Sequence, residues 1–157
     1  MCIKFIKNLH VKFVFILSLS LPIRSFADVG ITNVSDISLQ SFNVNQDMTG
    51  TATACVCSDS FIYNLSILGS GTGNSYTIND GSEAIPFTVY WNDQNSSSGK
   101  KLVRQNLSGL STSYDCSNYN CNNQTNAYLE IFFSKSDLMS AKHGSYSGYI
   151  VITVEPN

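Results

Sequence analysis

Histidine, basic charge and long hydrophobic runs are all scarce in this chain, and each scarcity removes a class of function. There are two histidines in 157 residues. A histidine-rich metal centre is excluded by that count alone. A Ser–His–Asp or Cys–His arrangement would have to use His143, and no nucleophile elbow accompanies it. Lysine and arginine number nine, and Lys4, Lys7, Lys12 and Arg24 all lie before residue 28. The five that follow are Lys100, Lys101, Arg104, Lys135 and Lys142, set against 11 acidic residues, for a net charge of −6 beyond residue 27. No basic patch remains, so neither nucleic acid nor an anionic membrane surface is an expected partner. The longest apolar run, residues 13–23, is 11 residues long, well short of the ~20 needed to span a bilayer. There is no long helical period, no internal repeat and no low-complexity tail.

What is present begins with a leader. Lys4, Lys7 and Lys12 form a positive amino-terminal region, the apolar run follows, and Ser25-Phe26-Ala27 is a small-x-small cleavage site. Residues 1–27 therefore read as a secretory signal peptide. Residues 28–157 read as a single domain of 130 residues, enough for one sandwich core. No membrane contact is expected once the leader is removed.

Within that domain the dominant period is two. Phe61, Tyr63, Leu65 and Ile67 alternate, as do Ile85, Phe87, Val89 and Trp91. Residues 31–44 read as one kinked strand, and Gln46 to Gly50 as a turn. Residues 51–58 read as a strand, and residues 75–78 as another, ended by the hairpin turn Asn79-Asp80-Gly81. Residues 101–107 read as a charged edge strand, and residues 108–124 as a long irregular loop. Residues 136–142 suit one helical turn, with Ser136 as N-cap and Leu138 and Met139 facing inward. Seven or eight short strands without a long helix predict an all-β fold, an immunoglobulin-like β-sandwich.

Cysteine usage agrees with export. Cys55, Cys57, Cys116 and Cys121 are an even set in a chain with a leader, which reads as two disulfides. Three pairings exist. Cys55 and Cys57 stand two apart on a strand and share a face, so a bond between them would be strained. The expected pairing is Cys55–Cys121 with Cys57–Cys116. The rival reading is a zinc site, which an oxidising compartment disfavours.

Other features are weaker. Glu83, Asp93, Asp115 and Glu130 offer carboxylates, but nothing in the sequence pairs any two of them for glycosidase chemistry. Gly69, Gly71 and Gly73 lack the helix and Lys-Ser/Thr of a phosphate loop and read as a turn. Five Asn-x-Ser/Thr sequons start at Asn33, Asn64, Asn95, Asn106 and Asn123, in a chain where Asn and Ser are abundant. Tyr90 and Trp91, next to the polar loop 92–99, could form a sugar-binding platform, although packing is the commoner role for such aromatics.

The last stretch, residues 126–157, carries the strongest pattern. Leu129, Ile131 and Phe133 share one face of a strand, with Tyr128, Glu130 and Phe132 on the other. In the closing strand Ile150, Ile152 and Val154 oppose Tyr149, Val151 and Thr153. That strand is apolar on both faces and must be covered by a partner element.

Here the chain resembles a bacterial pilin subunit of the chaperone–usher kind, or the related spore coat protein U-like secreted domains. The residues that carry the resemblance are Leu138, Ala141, Gly144 and Tyr146-Ser147-Gly148, which lead into Ile150-Val151-Ile152-Thr153-Val154. Cys55-Val56, Ile85-Pro86-Phe87-Thr88-Val89-Tyr90-Trp91, and Cys121 followed by Asn126-Ala127-Tyr128-Leu129 add to it. Against those families, Cys57 and Cys116 look like an added second bond. The resemblance implies an incomplete sandwich whose open groove is filled first by a periplasmic chaperone and then by a neighbouring fibre subunit, by strand addition. Tyr149, Ile150, Val151, Ile152, Thr153 and Val154 are then the expected partner-strand contacts. A host or surface receptor is a further possible partner, and the destination is the periplasm and then the cell surface or a fimbrium. A donor extension should precede the first strand, but Asp28 to Asn33 is short, with only Val29 and Ile31 alternating. Either the first strand is itself the donor, or the subunit accepts a strand and donates none.

The leading expectation is thus a non-enzymatic, exported, pilin-like subunit with no cofactor, acting in surface assembly and adhesion. The alternative is a self-complete secreted carbohydrate- or protein-binding module using Tyr90, Trp91 and the loop 92–99. A secreted hydrolase stands third.

Overall fold

A computed structural model describes residues 28–39, 45–118, 121–142 and 144–157. The expected signal peptide at residues 1–27, Phe42 and Val44 of the first expected strand, and His143 lie outside the described residues. No helix among the described residues is long and apolar enough to cross a membrane.

The fold is an all-β sandwich. The chain forms β1 (Val29–Thr32), β2 (Ser38–Leu39), β3 (Met48–Ser58), β4 (Ile62–Gly69), β5 (Thr77–Asn79), β6 (Ala84–Pro86), β7 (Thr88–Asn92), β8 (Lys101–Val103), β9 (Asn106–Ser111), β10 (Ala127–Phe133), the short helix α1 (Lys135–Ser140), and β11 (Ile150–Pro156). One sheet runs β1-β3-β10-β7-β8, with β2 also paired to β3, and the other runs β11-β4-β9. β5 and β6 make a separate hairpin. Every ladder among the described residues is antiparallel.

The alternating residues build the core. Ala52, Ala54 and Val56 of β3, Leu129, Ile131 and Phe133 of β10, and Val89 and Trp91 of β7 are buried from one sheet. Tyr63, Leu65 and Ile67 of β4, Leu110 of β9 and Ile150 of β11 meet them from the other. On β3 the intervening Thr49, Thr51 and Thr53 stay half-buried, a β-branched face suited to a pleated surface.

Several strand boundaries differ from the sequence reading, each for a local reason. Residues 31–44 do not form one strand. β1 stops where Asn33 adopts φ 50°, and Ser35 carries the pairing onward through its N–H to Thr53 O at 2.9 Å. The turn expected at Gln46 to Gly50 is shorter, because β3 already starts at Met48, whose side chain is buried. Phe61 does not extend the β4 alternation. It takes φ 57° in the turn before β4 and is 49% exposed. The run Ile85 to Trp91 splits at Phe87, whose N–H turns to Tyr76 O at 2.9 Å, and β6 and β7 go to different sheets. Residues 101–107 split at Gln105, with φ 109°. β8 stays with β7 while β9 crosses to β4, so the loop expected over 108–124 begins only after Ser111. The helix is capped by Ser134, not Ser136. Its Oγ accepts from Asp137 N at 3.2 Å, the spacing an N-cap requires. Leu138 is buried as expected, but Met139 is 60% exposed. These splits raise the strand count above the seven or eight expected.

The disulfides are Cys55–Cys121 and Cys57–Cys116, with Cα separations of 5.8 and 5.0 Å. Both bonds lie on the face of β3 opposite Ala54 and Val56 and clamp the segments around Cys116 and Cys121 over it. With all four thiols consumed, the zinc reading has no ligands there. Where β10 parts from β3, Asn126 takes over the pairing. Its Oδ1 accepts from Val56 N and its Nδ2 donates to Val56 O, both at 2.8 Å. Thr112 Oγ1 donates to the same carbonyl at 2.6 Å. A side-chain amide thus replaces a rung of the ladder and leaves no buried backbone group unpaired at Val56.

Candidate assembly edge

The two sheets leave the two lateral sides of the sandwich in different states. On one side the chain itself crosses between the sheets, from β8 to β9. Gln105 O there accepts from Ile67 N at 2.7 Å, which closes that side. On the other side the facing edges are β1, with β2, from one sheet and β11 from the other. β1 lies alongside β11, but among the described residues the ladder of each runs within its own sheet, β1 with β3 and β11 with β4. In an antiparallel edge strand alternate residues turn their N–H and C=O away from the neighbour.

Side chains at this side sit between core and solvent. Val29, Ile31 and Ile37 from the first sheet, and Ile152 and Val154 from β11, are half-buried aliphatics packed against the core. The six expected contact residues are thereby sorted. Ile150 is 3% exposed and belongs to the closed core. Ile152 and Val154 point inward on the side that β1 lies along. Val151, 39% exposed, and Thr153 lie on the outer face, and Tyr149 precedes the strand at 43% exposed. The strand also runs farther than expected, to Pro156, with Glu155 opposite Asn64 and Asn64 Nδ2 donating to Pro156 O at 3.1 Å. Ile37 carries no sequence signal of a place at this edge. Its partner edge is more than 100 residues away, and no local pattern reports that.

The segment before β11 sets where the strand lies. Ser147 and Asn79 form a β-bridge, with both backbone hydrogen bonds at 2.9 Å. Tyr146 is buried, and its hydroxyl donates to Lys142 O at 3.1 Å. Lys142 in turn pairs with Glu83. Gly148 then passes so close to β5 that a Cβ would meet Ile78 Cγ2, Ser70 Oγ and Thr77 O, each at 2.9 Å. Tyr146-Ser147-Gly148 is thus a docking motif on the β5–β6 hairpin. Gly148→Ala is expected to push this segment off the hairpin and cost roughly 1–3 kcal/mol, the usual toll of overpacking. Urea unfolding would measure it, and amide exchange along β11 should accelerate.

The chain matches no protein-family model and no curated protein sequence.

Tyr90 and Trp91 do not form a sugar platform together, and Trp91 takes the packing role that is commoner for such aromatics. Trp91 is 1% exposed, and its Nε1 donates to Tyr63 Oη at 3.0 Å in the core. Tyr90 faces outward but lies beneath the Lys100 ammonium, 4.8 Å from the ring centroid. Asn92 is a buried strand residue that holds its own loop, donating to Ser96 O and Ser98 O. The four carboxylates singled out from sequence each have a different partner. Glu83 pairs with Lys142, Asp93 with Lys101 and Glu130 with Lys100, while Asp115 accepts from Ser117 N at 3.1 Å. Burial opposes the ionisation of Asp93, but the Ser111 N–H and the Lys101 ammonium outweigh it and hold this carboxyl below the usual range. Glu130 points out from β10 yet is 6% exposed, because Lys100 and Tyr128 close over it.

Proposed function

We propose that this protein is an exported, non-enzymatic structural subunit that joins a surface assembly by accepting a partner's strand along β11, and that it donates none. The observation that carries the reading is the edge of β11: among the described residues its ladder runs to β4 alone, and half-buried aliphatics line the same edge. Two disulfides fit a chain that folds in an oxidising compartment. The resemblance to chaperone–usher pilins supplies the partner classes, a periplasmic chaperone first and a neighbouring fibre subunit second, with the cell surface or a fimbrium as destination. The absence of donation is supported by β1. Residues Val29 to Thr32 already pair in register with Ser58 to Cys55 of their own sheet.

The test is strand addition to the purified chain, starting at Asp28 and prepared without a chaperone. Synthetic peptides of about ten residues with alternating aliphatic side chains serve as probes. A bound peptide should protect the outward amides of β11 from hydrogen exchange and raise stability by about 2.7 kcal/mol at 100 times its Kd. Ile152→Asp should abolish that gain. A monomer whose β11 amides are already fully protected, and which gains nothing from any such peptide, would overturn the reading.

A further inference from the structure

The start of β1 is held in an unusual way. Asp28 N lies 3.2 Å from Asp59 Oδ2, and Asp59 N donates back to Asp28 O at 3.0 Å. The other oxygen of the same carboxylate, Oδ1, accepts from Cys116 N at 3.1 Å. One aspartate therefore joins the first residue before β1, the turn after β3 and the half-cystine bonded to Cys57. Asp59, the Asp28 side chain and Asp115, which adjoins Cys116, are all acidic. Among the described residues the lysine–carboxylate pairs are Lys100–Glu130, Lys101–Asp93 and Lys142–Glu83, all at other places. The nitrogen that faces Asp59 is also the nitrogen that the Ser25-Phe26-Ala27 cleavage pattern would release.

We propose that Asp59 is a built receptor for a new amino terminus, formed when the Ala27–Asp28 peptide bond is cut. A leader peptidase uses one water for this step. The C–N bond breaks, the oxygen of water goes to the Ala27 carbonyl carbon to give a carboxylate, and the Asp28 nitrogen leaves as an amine that is protonated at neutral pH. The neutral amide donor opposite Asp59 becomes an ammonium. A charge-assisted hydrogen bond replaces an ordinary one. Processing thus locks the first strand onto β3 and onto the disulfide-bearing segment together. This inference does not depend on the strand-acceptor reading and survives if that reading fails.

The test exports the full chain through a bacterial secretory route and reads the intact mass of the purified product, which should begin at Asp28. The α-amino group is then titrated by pH-dependent reductive methylation, folded and in denaturant. Its pKa should be higher in the folded protein, and Asp59→Asn should remove the difference. A chain that keeps Ala27 moves its amine one residue away, about 3.8 Å, and should show little elevation. Its folding equilibrium constant should be lower by up to about fivefold, the upper range for an exposed ion pair. A product starting at another residue, or an α-amino pKa equal in folded and denatured protein, would overturn the proposal. The folded-against-denatured comparison needs no substitution, so it stands even if the Asp59 variant does not fold.

Discussion

Serine at both ends of one disulfide is expected to destabilise the protein by roughly 2.5 kcal/mol, while serine at all four cysteines should cost roughly 7 kcal/mol. The inequality follows from how the two bonds overlap. Cys55–Cys121 and Cys57–Cys116 enclose sequence separations of 66 and 59 residues, and the second lies inside the first. Either bond alone closes the long loop, worth about 4 kcal/mol on the chain-entropy account. The other then closes only a ring of some nine residues, which constrains the unfolded chain much less. Single removal loses the small increment, and only double removal reopens the long loop. A loss of 7 kcal/mol is comparable to the whole stability of an ordinary domain, about 5–15 kcal/mol. The fully reduced protein should therefore be largely unfolded, as urea titration of the three variants would show. Additive single losses of 4 kcal/mol each would mean that the two bonds act on separate loops.

Trp91→Ala should cost about 3–5 kcal/mol, the range for deleting a buried aromatic. The indole is the meeting point of the sheets, projecting from β7 to bond the hydroxyl of Tyr63 on β4 at 3.0 Å. Trp91→Phe keeps most of the volume and should lose only the hydrogen bond, about 1–3 kcal/mol. Tyr63 adds a pH dependence. Burial pushes its hydroxyl far above the usual tyrosine range, against the Trp91 hydrogen bond, which favours the ionised form, and the Asp93 charge adds to the rise. The unfolded chain releases this proton near pH 10, whereas the folded one keeps it. The folded state then binds more protons, so stability is intact below about pH 10 and falls as pH rises beyond it. Urea midpoints from pH 8 to 11 should show the decline, and Tyr63→Phe should flatten it. An unchanged slope in that variant would assign the alkaline loss to other tyrosines.

The sandwich was legible because its core strands obey a two-residue period. Tyr63, Leu65 and Ile67, and likewise Leu129, Ile131 and Phe133, alternate in sequence and are buried in the fold. The same period hid the breaks. Ile85, Phe87, Val89 and Trp91 are all buried, so alternation continues smoothly through a point where the chain changes sheets. What changes there is the partner of one backbone N–H, which side-chain pattern does not encode. Phe61 departs from the alternation for the opposite reason. It fits the period, but the tight turn demands a left-handed backbone at that position, and the turn prevails. The candidate edge was half legible. Ile152 and Val154 could be placed on one face from sequence. That they stand beside Val29, Ile31 and Ile37 is a matter of topology, set by chain segments separated by most of the domain. The cover over Glu130 was equally hidden, since Lys100 lies 30 residues away.

The seven-residue ladder between β11 and β4, from Ile150–Gly69 to Pro156–Tyr63, has a mechanical meaning. A pull directed along the strands must shear every rung at once, whereas a pull across them peels one rung at a time. Force delivered through β11 parallel to its axis would thus meet the stiffest response this domain can offer.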